Sequence, residues 1–450
     1  MANTYLSKNI TPSNYNRRKF TLSAWVKKAE GVVGASPILG FHGSTDYTMI
    51  RVDASSGIEF ICYQSSSVVA RKQTNMKLRD FSGWYHVVVA VDTDNGTASN
   101  RNRIYVNGEE QTSFVIDTNA SSGLDLINNN QTNFDIGSGV DQGGSRGYFS
   151  GILSHVHYCE GYQYSASDFG EYDANGVWKI IIEPSVTYGT NGFFILKDGN
   201  SVTDQSGNSN NFTVGGGTLT NTEDSPSNVF ATINPLTNFY QNSTFSNGNN
   251  RIVTTNDGVY NYNESTLGMS SGKYYMEVKY ITSARPTNDF ARFGIVNAPS
   301  NRTIGSVGYG LYEYGYYSYN GKIVNNDIQT NYGDTFTDND IIGIAVDLDN
   351  NKLYFSKNGT WQNSGDPTSG STGTGAISIT PASDNDTGFY FFAGGEEDGT
   401  YGVTFETNFG NGYFGTTAVA SAGTNASGNG IFEYDVPTGY TALSTKGLNL

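Results

Sequence analysis

The sequence predicts an all-β protein built as two tandem sandwiches, and three observations carry that reading. Composition comes first: 55 Gly, 31 Tyr and 25 Phe among 450 residues describe short strands joined by polar turns, without long amphipathic helices. The second is the stretch from Asp340 to Trp361. Ile342, Ile344 and Val346 alternate on one face, and Leu353 and Phe355 repeat the pattern beyond an Asp347–Asn351 turn. Asn358-Gly359 then supplies two consecutive residues suited to positive φ. The third is a weaker copy of the same hairpin upstream, Val87–Asp92 followed by Ile104-Tyr-Val-Asn-Gly108. A chain of 450 residues exceeds one ordinary core, so two units of this kind fit its length.

The first unit is assigned to residues 1–214. Phe20, Leu22, Ala24 and Val26 point one way along its first clear strand. Trp84–Ala90 and Tyr148–His157 supply further strands, and Phe193–Leu196 and Phe212–Val214 two more. The trio of an aromatic-rich strand, a Trp84-Tyr-His86 strand with its Tyr105-Val-Asn-Gly108 hairpin, and a Gly151-Ile152 strand resembles the laminin-G-like family. That resemblance, over about residues 15–165, implies a concanavalin A-like jelly roll.

Residues 215–236 read as an ordered connector. Gly215-Gly-Gly217 breaks the strand pattern, but Val229, Phe230, Ile233 and Leu236 are apolar anchors that a flexible tether would lack. Residues 237–450 resemble a SPRY domain. Gly272–Lys279, Arg292–Asn297, Val307–Gly310, the 340–361 hairpin and Gly402–Gly410 follow one another in that family's order. The tail from Phe432 to Leu443 is expected to pack back onto this unit. The whole arrangement also resembles structural proteins of tailed phages of marine bacteria: laminin-G-like unit, Asp224-Ser-Pro-Ser-Asn228 connector ending Asn234-Pro-Leu236, SPRY-like unit, Pro437-Thr-Gly-Tyr440 tail. It implies a place on the virion surface.

Charge and cysteine content narrow the function classes. The net charge is −16; residues 1–236 hold 16 Lys/Arg against 22 Asp/Glu, and residues 237–450 hold 10 against 20. Neither half has the basic footprint of a nucleic-acid binder. Cys62 and Cys159 fall in expected strands and read as two buried thiols, with pairing left open. The N-terminus shows no secretory signal, and no apolar run approaches membrane-spanning length, so synthesis in a host cytoplasm without membrane insertion is expected.

Catalytic equipment is sparse. Retaining glycoside hydrolysis needs two carboxylates about 5–5.5 Å apart. Glu171-Tyr-Asp173 comes nearest to a catalytic strand, but Gly176 stands where a third acid belongs, and Glu396-Glu-Asp398 sits in a Gly-rich turn. No enzyme activity is expected. His155 and His157 would share a strand face, a half-site that copies from other chains around a trimer axis could complete, although strand histidines satisfied by neighbours are common. Asp92-Thr-Asp94-Asn95 and Asp204–Asn208 cluster oxygen ligands of the sort calcium takes. Turn chemistry alone accounts for both, so no metal or other cofactor is assigned.

The aromatic run from Tyr309 to Tyr319 is the candidate binding surface. Tyr312, Tyr314 and Tyr316 share one face, Tyr317 and Tyr319 the other, and tyrosine suits stacking on a sugar or a protein. SPRY-like domains bind through loops at one edge, which adds the Lys357–Trp361 loop and Trp361 itself. Core packing is the competing account of the same tyrosines. The expected function is therefore non-enzymatic: a phage head decoration, head fibre or tail-fibre component with lectin-like domains. Its partners would be other virion proteins and a host-surface glycan, in a homo-oligomer with a trimer favoured. The alternatives are an architectural cement protein, a glycan-cleaving enzyme, and an intracellular SPRY-type peptide adaptor.

Overall fold

The structure is a computed structural model that describes residues 3–9, 16–29, 35–43, 45–127, 133–197, 201–237, 243–255, 260–283, 290–297, 305–397 and 401–449. Among these, strands dominate and the helices are short 3-10 turns. The chain forms two compact units, Met1–Asn221 and Thr222–Leu450.

The first unit is a two-sheet sandwich. Its eight-stranded sheet runs, in spatial order, Phe114–Thr118, Ser67–Lys77, Gly57–Gln64, Tyr47–Val52, Ser36–His42, Asn133–Ile136, Tyr5–Asn9 and Thr213–Gly216. The facing sheet runs Phe193–Ile195, Gly151–Glu160, Lys19–Lys28, Tyr85–Asp92, Asn102–Val106 and Glu109–Glu110. Phe20, Leu22, Ala24 and Val26 all enter the core between them, as their alternation requires. Gly215 and Gly216 extend the last strand instead of breaking it, because a Cβ on Gly216 would sit 2.8 Å from the Tyr5 ring.

A third layer covers the outer face of the six-stranded sheet. Ala166 and Phe169, with Tyr164 and Trp178 beside them, pack against Val88, Ala90, Tyr105 and Cys159. Cys62 instead lies in the inter-sheet core, so one sheet separates the two thiols and both are free. Burial raises both thiol pKa values, that of Cys62 to about 11.

The second unit repeats the sandwich. One sheet runs Thr244–Ser246, Arg251–Val253, Val403–Asn408, Lys273–Ser283, Ile341–Asp347, Lys352–Lys357 and Thr360–Trp361. The other runs Asn261–Glu264, Phe391–Glu396, Ala291–Val296, Tyr314–Tyr317, Lys322–Asn325 and Ile328–Asn331. Ile342, Ile344, Val346, Leu353 and Phe355 line the core between them. Both hairpin turns have the expected backbone: φ is 48° and 80° at Asn358 and Gly359, and 49° and 88° at Asn107 and Gly108.

The chain divides inside the 215–236 connector, at the Asn221–Thr222 junction, so residues 222–236 belong to the second unit. Phe230 packs with Tyr275, Phe432, Val436 and Tyr440 on the outer face of the larger sheet, and the Ala231 amide donates to the Leu443 carbonyl. Phe230 is thus held between the sheet and the C-terminal tail, while Ala231 and Ile233 enter the sandwich core. Leu236, by contrast, is 50% exposed and anchors nothing. The tail is pinned by the buried Glu277 carboxylate, which accepts from the amides of Glu433 (2.9 Å) and Tyr434 (2.8 Å), from Asn408 Nδ2 and from the Tyr275 hydroxyl.

Candidate ligand-binding site

The tyrosine run is mostly interior. Tyr314 and Tyr316 lie in the sandwich core, Tyr316 against Phe336 and Phe355 with its hydroxyl donating to the Asp334 carbonyl. Tyr317 does face the other way, but Arg292 covers it, the guanidinium 4.6 Å from the ring centroid and paired with Glu397. Tyr314, Tyr316 and Tyr317 are thus core residues that cannot offer a ring to a partner. The alternation was sound, yet both faces of this strand are covered. Tyr312 is half-buried against the core, and Trp361 packs edge-on to Tyr275 and Tyr354. Tyr319 alone among the six is exposed, at 45%, stacked on Phe290.

A cavity of about 200 Å³ opens in the first unit, at one end of the sandwich. Beneath it lie core rings, Phe41 and Phe134 from one sheet and Tyr158 and Phe193 from the other, each at most 2% exposed. Phe134 lies 5.1 Å from Phe193, and Phe41 lies 5.2 Å from Tyr158, centroid to centroid. Lys8, Asn9, Asn191 and Asn210 form the rim. Register explains Lys8. It pairs with Phe134, which pairs in turn with Phe41, so the three stand side by side on adjacent strands. Leu6, two residues earlier, is buried in the core, and strand parity sends Lys8 to the same inner face.

The rim amides are oriented by their own loop. Asn191 Nδ2 donates to Glu160 Oε2 (2.9 Å), and Asn210 Nδ2 donates to the carbonyls of Thr190 (3.1 Å) and Gly192 (2.8 Å). Those bonds leave the side-chain oxygens of Asn191 and Asn210 as acceptors not used by any donor among the described residues. The Lys8 ammonium has no hydrogen bond or ion pair among the described residues. Burial lowers its pKa, and Asp204 opposes the shift. The Asp204 carboxylate is itself engaged by the amides of Phe194, Ser206 and Asn210 and by the Ser206 hydroxyl. The sequence carried a signal for this site in the Leu6-Ser7-Lys8 alternation, but the first strand was not recognised as a core strand.

The histidine pair is enclosed. His155 sits at φ 47° where the pairing with the Lys19–Lys28 strand shifts register, and its Nδ1 lies 2.7 Å from the Ser154 hydroxyl. His157 stacks on Phe194 at 4.0 Å, with Nδ1 3.0 Å from the Tyr188 hydroxyl. Their burial removes both from any subunit axis, so a trimer-completed metal half-site is not available there. His86, equally buried, lies between Trp25 and Trp178. Trp178 Nε1–H donates to its Nδ1 (3.2 Å), so the ring proton belongs on Nε2, facing the Ser23 hydroxyl at 2.9 Å. Burial lowers its pKa to about 3.

The acidic runs serve local structure. Asp173 accepts from the amides of Asn175 and Val177, Glu171 is exposed, Glu396 is buried, and Asp398 lies outside the described residues. Asp92 pairs with Lys19 at 2.8 Å, and Asp94 with Arg18 at 3.4 Å. No group of three His, Cys, Asp or Glu side chains among the described residues is placed to hold a metal ion.

A family model of the concanavalin A-like lectin/glucanase superfamily, of laminin-G type, matches residues 3–160, and a SPRY domain model matches residues 273–377. The chain carries a laminin-G-like domain followed by a SPRY domain. The cavity belongs to the laminin-G-like domain, and the tyrosine run to the SPRY domain. Among solved structures, the SPRY domain of human HERC1 is 17% identical over 39% of this chain and 96% of its own, with a TM-score of 0.30. A heptameric SAP-like pentraxin from Limulus polyphemus is 15% identical over 36% of this chain and 72% of its own, TM-score 0.27. A candidate carbohydrate-binding protein from Bacteroides ovatus is 19% identical over 49% of this chain and 58% of its own, TM-score 0.32. No curated protein matches the chain in sequence.

Proposed function

We propose that the protein is a non-enzymatic, lectin-like binding protein on the surface of a tailed-phage virion, and that its laminin-G-like domain engages a glycan of the host surface. The observation that carries the binding half is the match of the concanavalin A-like lectin/glucanase model to residues 3–160, together with a small cavity in that domain whose rim, Lys8, Asn9, Asn191 and Asn210, is polar. Convergent side-chain amides and an ammonium can hydrogen-bond the hydroxyls of a small sugar. The non-enzymatic reading is supported by the acids singled out in the sequence: Asp173 is held in a turn, Glu397 pairs with Arg292, Glu171 is exposed and Glu396 is buried. The virion location rests on the domain order, the Asp224–Leu236 connector and the Pro437-Thr-Gly-Tyr440 tail. On a particle, many copies of a weak site act together, so affinity per site can be modest. Other virion proteins and further copies of this chain, a trimer favoured, would be its structural partners.

Two measurements test this. Full-length protein on an array of bacterial-surface glycans should bind without releasing reducing sugar. Gold-labelled antibody should mark intact particles by electron microscopy. Reducing sugar released from a bound glycan, or unlabelled particles, would overturn the corresponding half.

A further inference from the structure

An open sheet edge needs a reason, because its unpaired N–H and C=O groups are a template for another strand. Most ends of the four large sheets are blunted. Glu109–Glu110 is charged, Phe114–Thr118 carries a register shift, Phe193–Ile195 is buried, and Thr244–Ser246 and Thr360–Trp361 are only three and two residues long. Ile328–Asn331 has none of these devices. It is uncharged, pairs in regular register with Lys322–Asn325 alone, and is exposed at every residue. Ile328, at 65%, is the most exposed large apolar side chain among the described residues. Leu311, 55% exposed, lies beside it: its carbonyl accepts from Nδ2 of Asn325, the cross-strand neighbour of Ile328.

We infer that this edge binds the same edge of a second copy of the chain, antiparallel about a two-fold axis, so that the sheets of two SPRY domains become continuous. The backbone fixes which groups are offered. Asn326 and Asp327 have φ of 50° and 58°, a two-residue turn whose flanking residues, Asn325 and Ile328, exchange both main-chain hydrogen bonds. Alternation then turns the N–H and C=O of Ile328 and Thr330 toward Lys322–Asn325. Those of Gln329 and Asn331 point outward, where no described residue takes them. The left-handed turn cannot extend the ladder at one end, and at the other Gly333 already donates to the Gly321 carbonyl. One register remains in which both outward residues pair: Gln329 with the partner's Asn331, and Thr330 with the partner's Thr330 on the axis. It also sets Ile328 against the partner's Tyr332, and Thr with Thr is a favourable cross-strand pair. Residues 328–332 carry no charge, which matters for two chains that each carry −16. The contact is well below the roughly 1,000 Å² of a stable complex, so it is weak in solution and gains from many copies on one surface. Being two-fold it pairs chains, and it can link three-fold groups of them.

Cysteine cross-linking of the full-length chain tests this, since Cys62 and Cys159 are buried and do not compete. An opposed pair without main-chain hydrogen bonds holds its Cα atoms about 4.5 Å apart, within disulfide reach, and Thr330 on the axis forms such a pair. Thr330→Cys should therefore oxidise to a covalent dimer in a mild glutathione buffer. Gln329→Cys, offset by two residues from its own copy, lies beyond the roughly 7 Å limit and should not. Sedimentation of the parent should show reversible association on concentration from about 1 to 200 µM. Thr330→Lys, which sets two ammonium groups together on the axis, should weaken that association by roughly tenfold or more. The melting temperature should not change, because the residue is exposed. A parent whose mass is independent of concentration, association that Thr330→Lys leaves intact, or cross-linking at residue 330 no greater than at 329 overturns the inference. If Thr330→Cys joins instead to a different protein on assembled particles, the edge serves an extended segment of that partner and the second-copy assignment fails.

Discussion

His86 should make the laminin-G-like domain acid-labile, and the effect can be isolated by one substitution. The ring is enclosed by Trp25 and Trp178, with Nδ1 accepting from Trp178 and Nε2 donating to Ser23. Its folded-state pKa is about 3, against an ordinary value near 6.5. A base depressed on folding binds its proton in the unfolded chain first. Stability is therefore whole above about pH 6.5 and falls as pH drops, until the folded pKa is reached. The full slope of about 1.4 kcal/mol per pH unit sets in only well below pH 6.5, where the unfolded ring is half-protonated, so the domain loses about 2 kcal/mol between pH 6.5 and 4.5 through this residue alone. His157, buried and depressed in the same direction, adds to the slope. For a domain of this size, roughly 2–4 °C accompanies each kcal/mol, so His86 accounts for a fall of roughly 4–8 °C. Glutamine at this position keeps one acceptor and one donor but does not titrate. His86→Gln should cost some stacking at pH 7 and then hold its melting temperature better as pH falls. Tryptophan fluorescence reads the right unit, since Trp25, Trp84 and Trp178 lie there and Trp361 alone lies in the other. If His86→Gln and the parent lose stability in parallel between pH 6.5 and 4.5, the burial argument is wrong.

Three further outcomes follow. Tyr316→Ala should destabilise the SPRY domain by roughly 3–5 kcal/mol, whereas Tyr319→Ala should stay within about 0.5 kcal/mol; circular dichroism melts would separate core from surface. Gly108→Ala should lower the melting temperature of the first unit. The position has φ 88°, and a Cβ would lie 2.6 Å from the Trp178 ring, so a neutral result would refute the close approach. Glu277→Gln removes acceptors from a carboxylate that takes four hydrogen bonds, at about 1–3 kcal/mol for each donor left unsatisfied. The expected sign is a tail around residues 432–443 that limited proteolysis cuts sooner; unchanged cleavage would show that Glu277 does not hold it.

What the sequence revealed was local pattern with one answer. Phe20 to Val26 and Ile342 to Val346 each have a single apolar parity, and Asn107-Gly108 and Asn358-Gly359 each demand two positive φ values. Both hairpins and both cores were legible for that reason. Tyr314, Tyr316 and Tyr317 were not, because alternation assigns faces but does not say what covers them. Arg292, Glu397 and Phe290 do so from distant parts of the chain. The junction inside the connector was not legible for a similar cause: Phe230 packs with Tyr275 of the sheet and with Phe432 and Tyr440 of the returning tail. Lys8 was legible in principle from Leu6 alone. Its place beside the cavity required the register with Phe134 and the approach of Asn191 and Asn210, which are long-range facts.

The central claim is that the laminin-G-like domain, not the tyrosine run, is where a glycan binds. A crystal structure of the full chain soaked with the best array ligand tests it most directly. The account predicts a sugar on the laminin-G-like domain, hydrogen-bonded at the polar rim of Lys8, Asn9, Asn191 and Asn210. A sugar ordered against Tyr319 or Trp361, with the cavity holding only water, would contradict it.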